Sequence, residues 1–182
     1  MKTADSSLEE RLRDPATRRD AFAELISKFS EPLYWQIRRM VQNHDDTNDL
    51  LQNVFMKAWQ SLDMFRGDAK LSTWLHKIAI NEALTHLQTL RRRQTESLDS
   101  EESVAARSIE SDEWIDGDEA ALMLRRAVAS LPTKQQIVFN MKYFDEMKYE
   151  EIAEITGTSV GALKTSYHLA VKKIEQFLQD RS

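Results

Sequence analysis

Two stretches carry residue types suited to handling nucleic acid. In residues 63–74, DMFRGDAKLSTW, the apolar and aromatic Met64, Phe65 and Trp74 are mixed with Arg66 and Lys70. Unpaired bases stack on rings while cations follow the phosphates, although large aromatics such as Phe65 and Trp74 are also what cores bury. The second stretch is the C-terminal VGALKTSYHLAVKK. On a helical wheel Val160, Leu163, Tyr167, Val171 and Ile174 gather on one side. Ala162, Thr165, Ser166, Leu169, Lys172 and Lys173 face the other way, flanked by Lys164 and His168. Such a small, polar and basic surface suits a helix that reads base edges in the major groove of a duplex.

Catalytic chemistry finds no comparable footing. His44, His76, His86 and His168 lack the HExxH spacing of a metal site, and Gly67, Gly117, Gly157 and Gly161 form neither a GxGxxG nor a P-loop cradle. HDDTND at 44–49 lacks the central glycine and distal glutamate of a calcium loop. With no cysteine in the chain, thiolate chemistry and disulfides are excluded. The expectation is a protein that binds and does not catalyse, without metal or cofactor.

The elements that would position these stretches are helical. Four glycines and three prolines in 182 residues, with few alternating strand patterns, predict an all-α chain. Pro32 is placed to open a helix with Leu33, Ile37, Met40 and Val41 inward and Trp35 and Arg38 off that stripe. Asp46 or Thr47 is placed to cap a second over 45–62, whose apolar face holds Leu50, Leu51, Val54, Phe55, Ala58, Trp59 and Leu62. After a loop centred on Gly67, Ser72 is expected to cap a third helix ending at Arg91, Arg92 and Arg93. Farther on, Ala121 to Leu131 predicts a helix stopped by Pro132, and Ile137, Val138 and Met141 predict another. KYEEIAEIT then ends at Gly157 and Ser159 caps the final helix, a helix-turn-helix pattern.

Charge divides the chain. The net charge is −5, but residues 94–120 hold ten acids against Arg107 alone, while 21–93 and 121–182 are each mildly basic at +2. The acidic stretch, rich in Ser, Asp and Glu, reads as a mobile linker between a first domain over 1–93 and a last domain over 121–182. Trp114 and Ile115 inside it are candidate docking residues. No apolar run has the length of a membrane span, and the polar N-terminus has no signal core, which predicts a cytoplasmic protein.

In this order, DDTNDLLQNVFMKAWQSL, FRGDAKLSTWLHKIAINEALTHL, LPTKQQIVF and YEEIAEITGTSVGALK resemble the extracytoplasmic-function (ECF) sigma factors of the sigma-70 family. The resemblance implies two small helical domains, region 2 and region 4, that bring core RNA polymerase to promoters and help open the DNA. It implies polymerase contacts at Asp49, Gln52, Asn53 and Lys57. It assigns the minus-ten element, read as single strand, to Met64, Phe65, Arg66, Asp68, Lys70, Ser72, Trp74, Lys77 and Asn81. The duplex minus-thirty-five element falls to Ser159, Ala162, Lys164, Thr165, Ser166, His168, Leu169 and Lys172. An anti-sigma factor is the implied inhibitor, and the acidic linker would thread the RNA-exit channel. Two departures stand out. Lys148 occupies a position where the family usually has a Ser or Thr cap, leaving that cap weakened or supplied by Asp145. KTSYHLAV replaces a KSRLHRAR pattern, removing arginines at 166, 169 and 171 and with them some counterion release on binding. A dimeric helix-turn-helix regulator acting without polymerase, or a protein that titrates a partner through the acidic linker, are the competing readings.

Overall fold

The computed structural model describes residues 4–96 and 118–181. Trp114 and Ile115 lie outside them. Among the described residues the chain is helical throughout: α1 (Ala4–Arg13), α2 (Arg18–Val41), α3 (His44–Gln60) and α4 (Leu71–Glu96), then α5 (Glu119–Ala129), α6 (Thr133–Phe139), α7 (Tyr149–Thr156) and α8 (Val160–Gln179).

In the first domain α2, α3 and α4 pack against one another, and α1 lies along α2. Leu25, Leu33, Ile37, Val54, Leu75 and Ala79 are wholly inaccessible at its centre, each larger side chain contributing about 1.5–3 kcal/mol by leaving water. Pro32 does not open a helix; it lies inside α2. The apolar rhythm that begins at Ala21, Phe22 and Leu25 runs on through Leu33 and Ile37, while exposed Pro32 sits on the solvent side, so packing outweighs the missing N–H. Arg38 is buried rather than off the stripe, because α3 and α4 both pack on α2.

The start of α3 also differs from expectation. Asn43 caps it, its side chain accepting from Asp46 N at 2.9 Å, and buried Thr47 turns its hydroxyl to the Asn43 carbonyl at 2.5 Å. The helix stops at Gln60, and Leu62 belongs to a tight 3-10 turn, Leu62–Met64. Trp59, expected inward, is 45% exposed and meets Phe22 edge-on at 4.9 Å. Buried Leu71 begins α4, which puts Ser72 within the first turn rather than at its cap, and the helix runs past the arginine triplet to Glu96.

In the second domain α6 and α5 pack on α8 around Ala127, Val128, Leu131, Phe139, Ala170 and Ile174. Pro132 follows α5 and caps α6 with its fixed φ. One wide π-type turn, Asn140–Phe144, continues α6, closed by Asp145 N to the Asn140 carbonyl at 3.2 Å.

The two domains are docked. Ile137, Val138, Met141, Ile152, Ile155 and Leu163 join the same apolar core as α2 and α4, and α7 lies on α4. Polar contacts ring this seam: Arg39 pairs with Asp145, Arg91 donates to Thr133 Oγ1 at 2.7 Å, and Lys70 reaches Glu151 at 3.4 Å.

Candidate nucleic-acid interface

The terminal helix is built as its sequence indicates. Gly157 closes α7 at φ 68°, a left-handed turn that glycine adopts without penalty. Ser159 Oγ then accepts from Ala162 N at 3.2 Å and starts α8. Leu163 and Ile174 are buried and Val160, Tyr167 and Val171 half-buried; Ala170, not expected inward, is fully buried at 0%. Ser159, Ala162, Lys164, Thr165, His168, Leu169 and Lys172 are exposed and Ser166 is half-exposed, along the first two-thirds of α8. Lys164 Nζ lies 5.8 Å from the centre of the Tyr149 ring, linking this surface to α7.

Lys148 begins α7 with no acceptor to offer, and Asp145 does not supply one, being turned to Arg39. Glu151 completes half of a capping box instead, accepting from Lys148 N at 3.0 Å. That backbone hydrogen bond, aided by Lys70 against the opposing effect of burial, holds the Glu151 carboxyl below its usual range.

The loop before α4 alternates buried anchors and exposed groups. Leu62 and Phe65 are buried, and Phe65 packs against half-buried Trp74 with ring centres 5.0 Å apart. Phe65 therefore offers no free ring face in this conformation. Met64 is 79% exposed, and Arg66, Asp68 and Lys70 are exposed beside it. Lys77 and Asn81 extend the exposed strip along α4; Ser72 is half-buried.

On α3, Asp49, Gln52, Asn53 and Lys57 are all exposed. Lys57 is tied to Glu82 of α4. Met56, 58% exposed, lies on this face at i+7 from Asp49 and i+3 from Asn53. Sequence reasoning passed it over, although its place among three polar residues of one face was the available signal.

A further cluster had no signal in the sequence. Arg39 from α2 and Asp145 after the π-type turn form a largely buried pair, with Phe144 under the guanidinium at 5.1 Å. Next to it, buried His76 meets Gln36 Oε1 through Nδ1 at 2.8 Å. Burial pushes His76 down to about 4, with Glu151 opposing and Arg39 reinforcing. Burial pushes Asp145 up to about 6 despite Arg39, and lowers Arg39 in turn. Among the described residues, no cluster of three or more His, Asp or Glu is placed to hold a metal ion, and no helix is long and apolar enough to cross a membrane.

Helical throughout the described residues, with a helix-turn-helix and a loop of exposed cations, the chain has the parts of a DNA-reading protein. Comparison with known proteins narrows the class. Residues 25–93 match Sigma-70 region 2 and residues 121–174 match Sigma-70, region 4. The RNA polymerase sigma-H factor of Pseudomonas aeruginosa is 31% identical, over 96% of this chain and 94% of that one. The ECF RNA polymerase sigma factor SigW of Bacillus subtilis is 27% identical, over 88% and 90%. The ECF RNA polymerase sigma-E factor of Escherichia coli K12 is 28% identical, over 87% of each. Among solved structures, CnrH in complex with the cytosolic domain of CnrY superposes with a TM-score of 0.73 at 22% identity, over 99% of this chain and 100% of that one. RpoE from Bartonella quintana, crystallised with the anti-sigma factor NepR, gives 0.70 at 24% identity, over 88% and 98%. The chain belongs to the sigma-70 family of RNA polymerase sigma factors, in its ECF group.

Proposed function

We propose that the work of this sigma factor is divided among three separate exposed surfaces. The α3 face of Asp49, Gln52, Asn53 and Met56 binds core polymerase. The strip from Met64 through Lys70 to Lys77 and Asn81 holds the minus-ten element as single strand. The outer face of α8 reads the minus-thirty-five element as duplex. Support comes from the match between each surface and its ligand. A polar face around one exposed methionine suits a protein partner, cations beside an outward apolar group suit unpaired bases, and small polar groups on a capped helix suit base edges.

The observation that carries this division is the α3 face. Asp49, Gln52 and Asn53 are exposed, the charge of Asp49 serves no ion pair among the described contacts, and Met56 is left uncovered among them. The protein acts by binding, in the cytoplasm, with no chemistry of its own. An anti-sigma factor that engages both domains fits the apolar seam between them, since parting α4 from α7 would uncover Ile80, Ile152 and Ile155. Asp49→Lys should lower core polymerase affinity tenfold or more at unchanged thermal stability; an Asp49→Lys protein that binds core like wild type would remove α3 from the interface.

A further inference from the structure

The loop between α3 and α4 is gripped from outside by a helix that sequence periodicity did not announce. Leu8 and Leu12, 2% and 1% exposed, bury α1 in the first-domain core and bring its last turn beside the 3-10 turn Leu62–Met64. Two arginines make the connection. Arg13 Nη2 donates to the Arg66 carbonyl at 3.1 Å. Arg18 donates through Nε to the Leu12 carbonyl at 2.9 Å, and its Nη2 lies 2.8 Å from Asp63 Oδ1. Gly67 follows with φ +80°, and a Cβ added there would overlap Arg13 Nη2. Glycine thus leaves the room that the guanidinium fills.

We propose that α1 positions the strand-holding loop and that Arg13 is the positioning residue. It fixes the peptide joining Arg66 to Gly67, and with it the direction in which Met64 and Arg66 meet an unpaired base and its phosphate. The proposal rests on the reading of this loop as the single-strand site. The region 2 match begins at residue 25, so α1 and Arg13 lie outside it.

The loop needs such a grip. From beneath it is anchored by Leu62 and Phe65, but the next peptide precedes a glycine whose φ is otherwise free. A loop ordered before DNA arrives does not spend binding energy on its own immobilisation. Arg13 is exposed, and an exposed hydrogen bond adds little to global stability. Its loss should therefore appear in strand opening more than in the melting temperature.

The test uses full-length protein, core polymerase and a promoter carrying 2-aminopurine in the non-template minus-ten strand, whose fluorescence rises on unpairing. Arg13→Ala should leave core affinity and closed-complex formation within about twofold and slow opening about five- to tenfold, the loss expected for one released backbone contact. Arg13→Lys should recover most of that rate, because an ammonium can donate to the same carbonyl. Gly67→Ala should cost less in the Arg13→Ala background, where the overlap is gone. Wild-type opening by Arg13→Ala, with Met64→Ala slowed, would overturn the role of Arg13 and leave the loop reading intact. Unchanged opening in both variants would overturn the loop reading and the proposal with it. Equal losses in core binding, closed complex and opening, with a lowered melting temperature, would make Arg13 a structural residue and overturn the proposal as well.

Discussion

Replacing His76 by Gln should make the protein more resistant to acid. His76 is 8% exposed, bonded to Gln36, with Arg39 and Glu151 around it and Glu31 at the rim of the same recess. Its folded value of about 4 lies below the ordinary 6.5. Between those values the unfolded chain binds the proton and the folded one does not, so stability is present above about pH 6.5 and is lost as pH falls toward about 4. Full titration across that window removes about 3 kcal/mol, at roughly 1.4 kcal/mol per pH unit. Asp145 acts in the opposite sense. Its folded value of about 6 exceeds the ordinary 3.8, so it adds stability as pH falls through about 6 and conceals much of the histidine's loss in the wild type. A glutamine in place of His76 can still donate to Gln36 but cannot titrate. Urea unfolding followed by circular dichroism at about pH 7 and about pH 4.5 should show His76→Gln gaining about 2–3 kcal/mol on the wild type over that interval. A constant difference between the two proteins at both pH values would refute the assignment of His76 as a buried neutral base.

Asp145→Asn breaks the ion pair with Arg39 across the seam and removes the proton uptake that offsets the histidine's loss, so stability should fall more steeply than in the wild type between about pH 7 and about pH 4.5 in urea unfolding. Because the chain has no native cysteine, dyes on Ser27→Cys in α2 and Glu175→Cys in α8 can report domain separation, and energy transfer between them should fall in that variant. Ser159→Ala should cost about 1 kcal/mol through the lost α8 cap, read as a lowered melting temperature. Lys164→Ala and His168→Ala should weaken closed complexes at the upstream element by about 1–3 kcal/mol per lost base contact in filter binding. Lys70→Ala should spare that step and slow permanganate-detected opening instead.

The helix-turn-helix was legible because its signals are local: Gly157 in a left-handed turn and Ser159 two residues later determine where α7 ends and α8 begins. Apolar spacing likewise indicated the buried stripes of α2, α3 and α4. Boundaries failed where tertiary packing outweighed a local signal. Pro32 sits within α2 because the buried face continues on both sides of it, and Leu71, a core residue, starts α4 one position ahead of Ser72. α1 escaped notice because two leucines, Leu8 and Leu12, carry its buried face, too few to stand out from a polar stretch. On α8 the polar side chains that the wheel placed outward are exposed, Ser166 only in part, whereas Phe65 is turned inward onto Trp74. Arg39, His76 and Asp145 meet only through the docking of distant segments, a contact that no spacing along the chain encodes.

On the proposed division of work among separate helices, this sigma factor confers promoter recognition on a core polymerase that lacks it. Transcription reconstituted from core RNA polymerase and genomic promoter fragments tests this directly, with purified wild-type and Asp49→Lys protein added in turn. Wild-type protein should give discrete transcripts with fixed start sites, absent without it and strongly reduced with Asp49→Lys. Discrete binding of promoter duplex by the protein alone, with no transcripts from core polymerase at any protein concentration, would contradict that division of work.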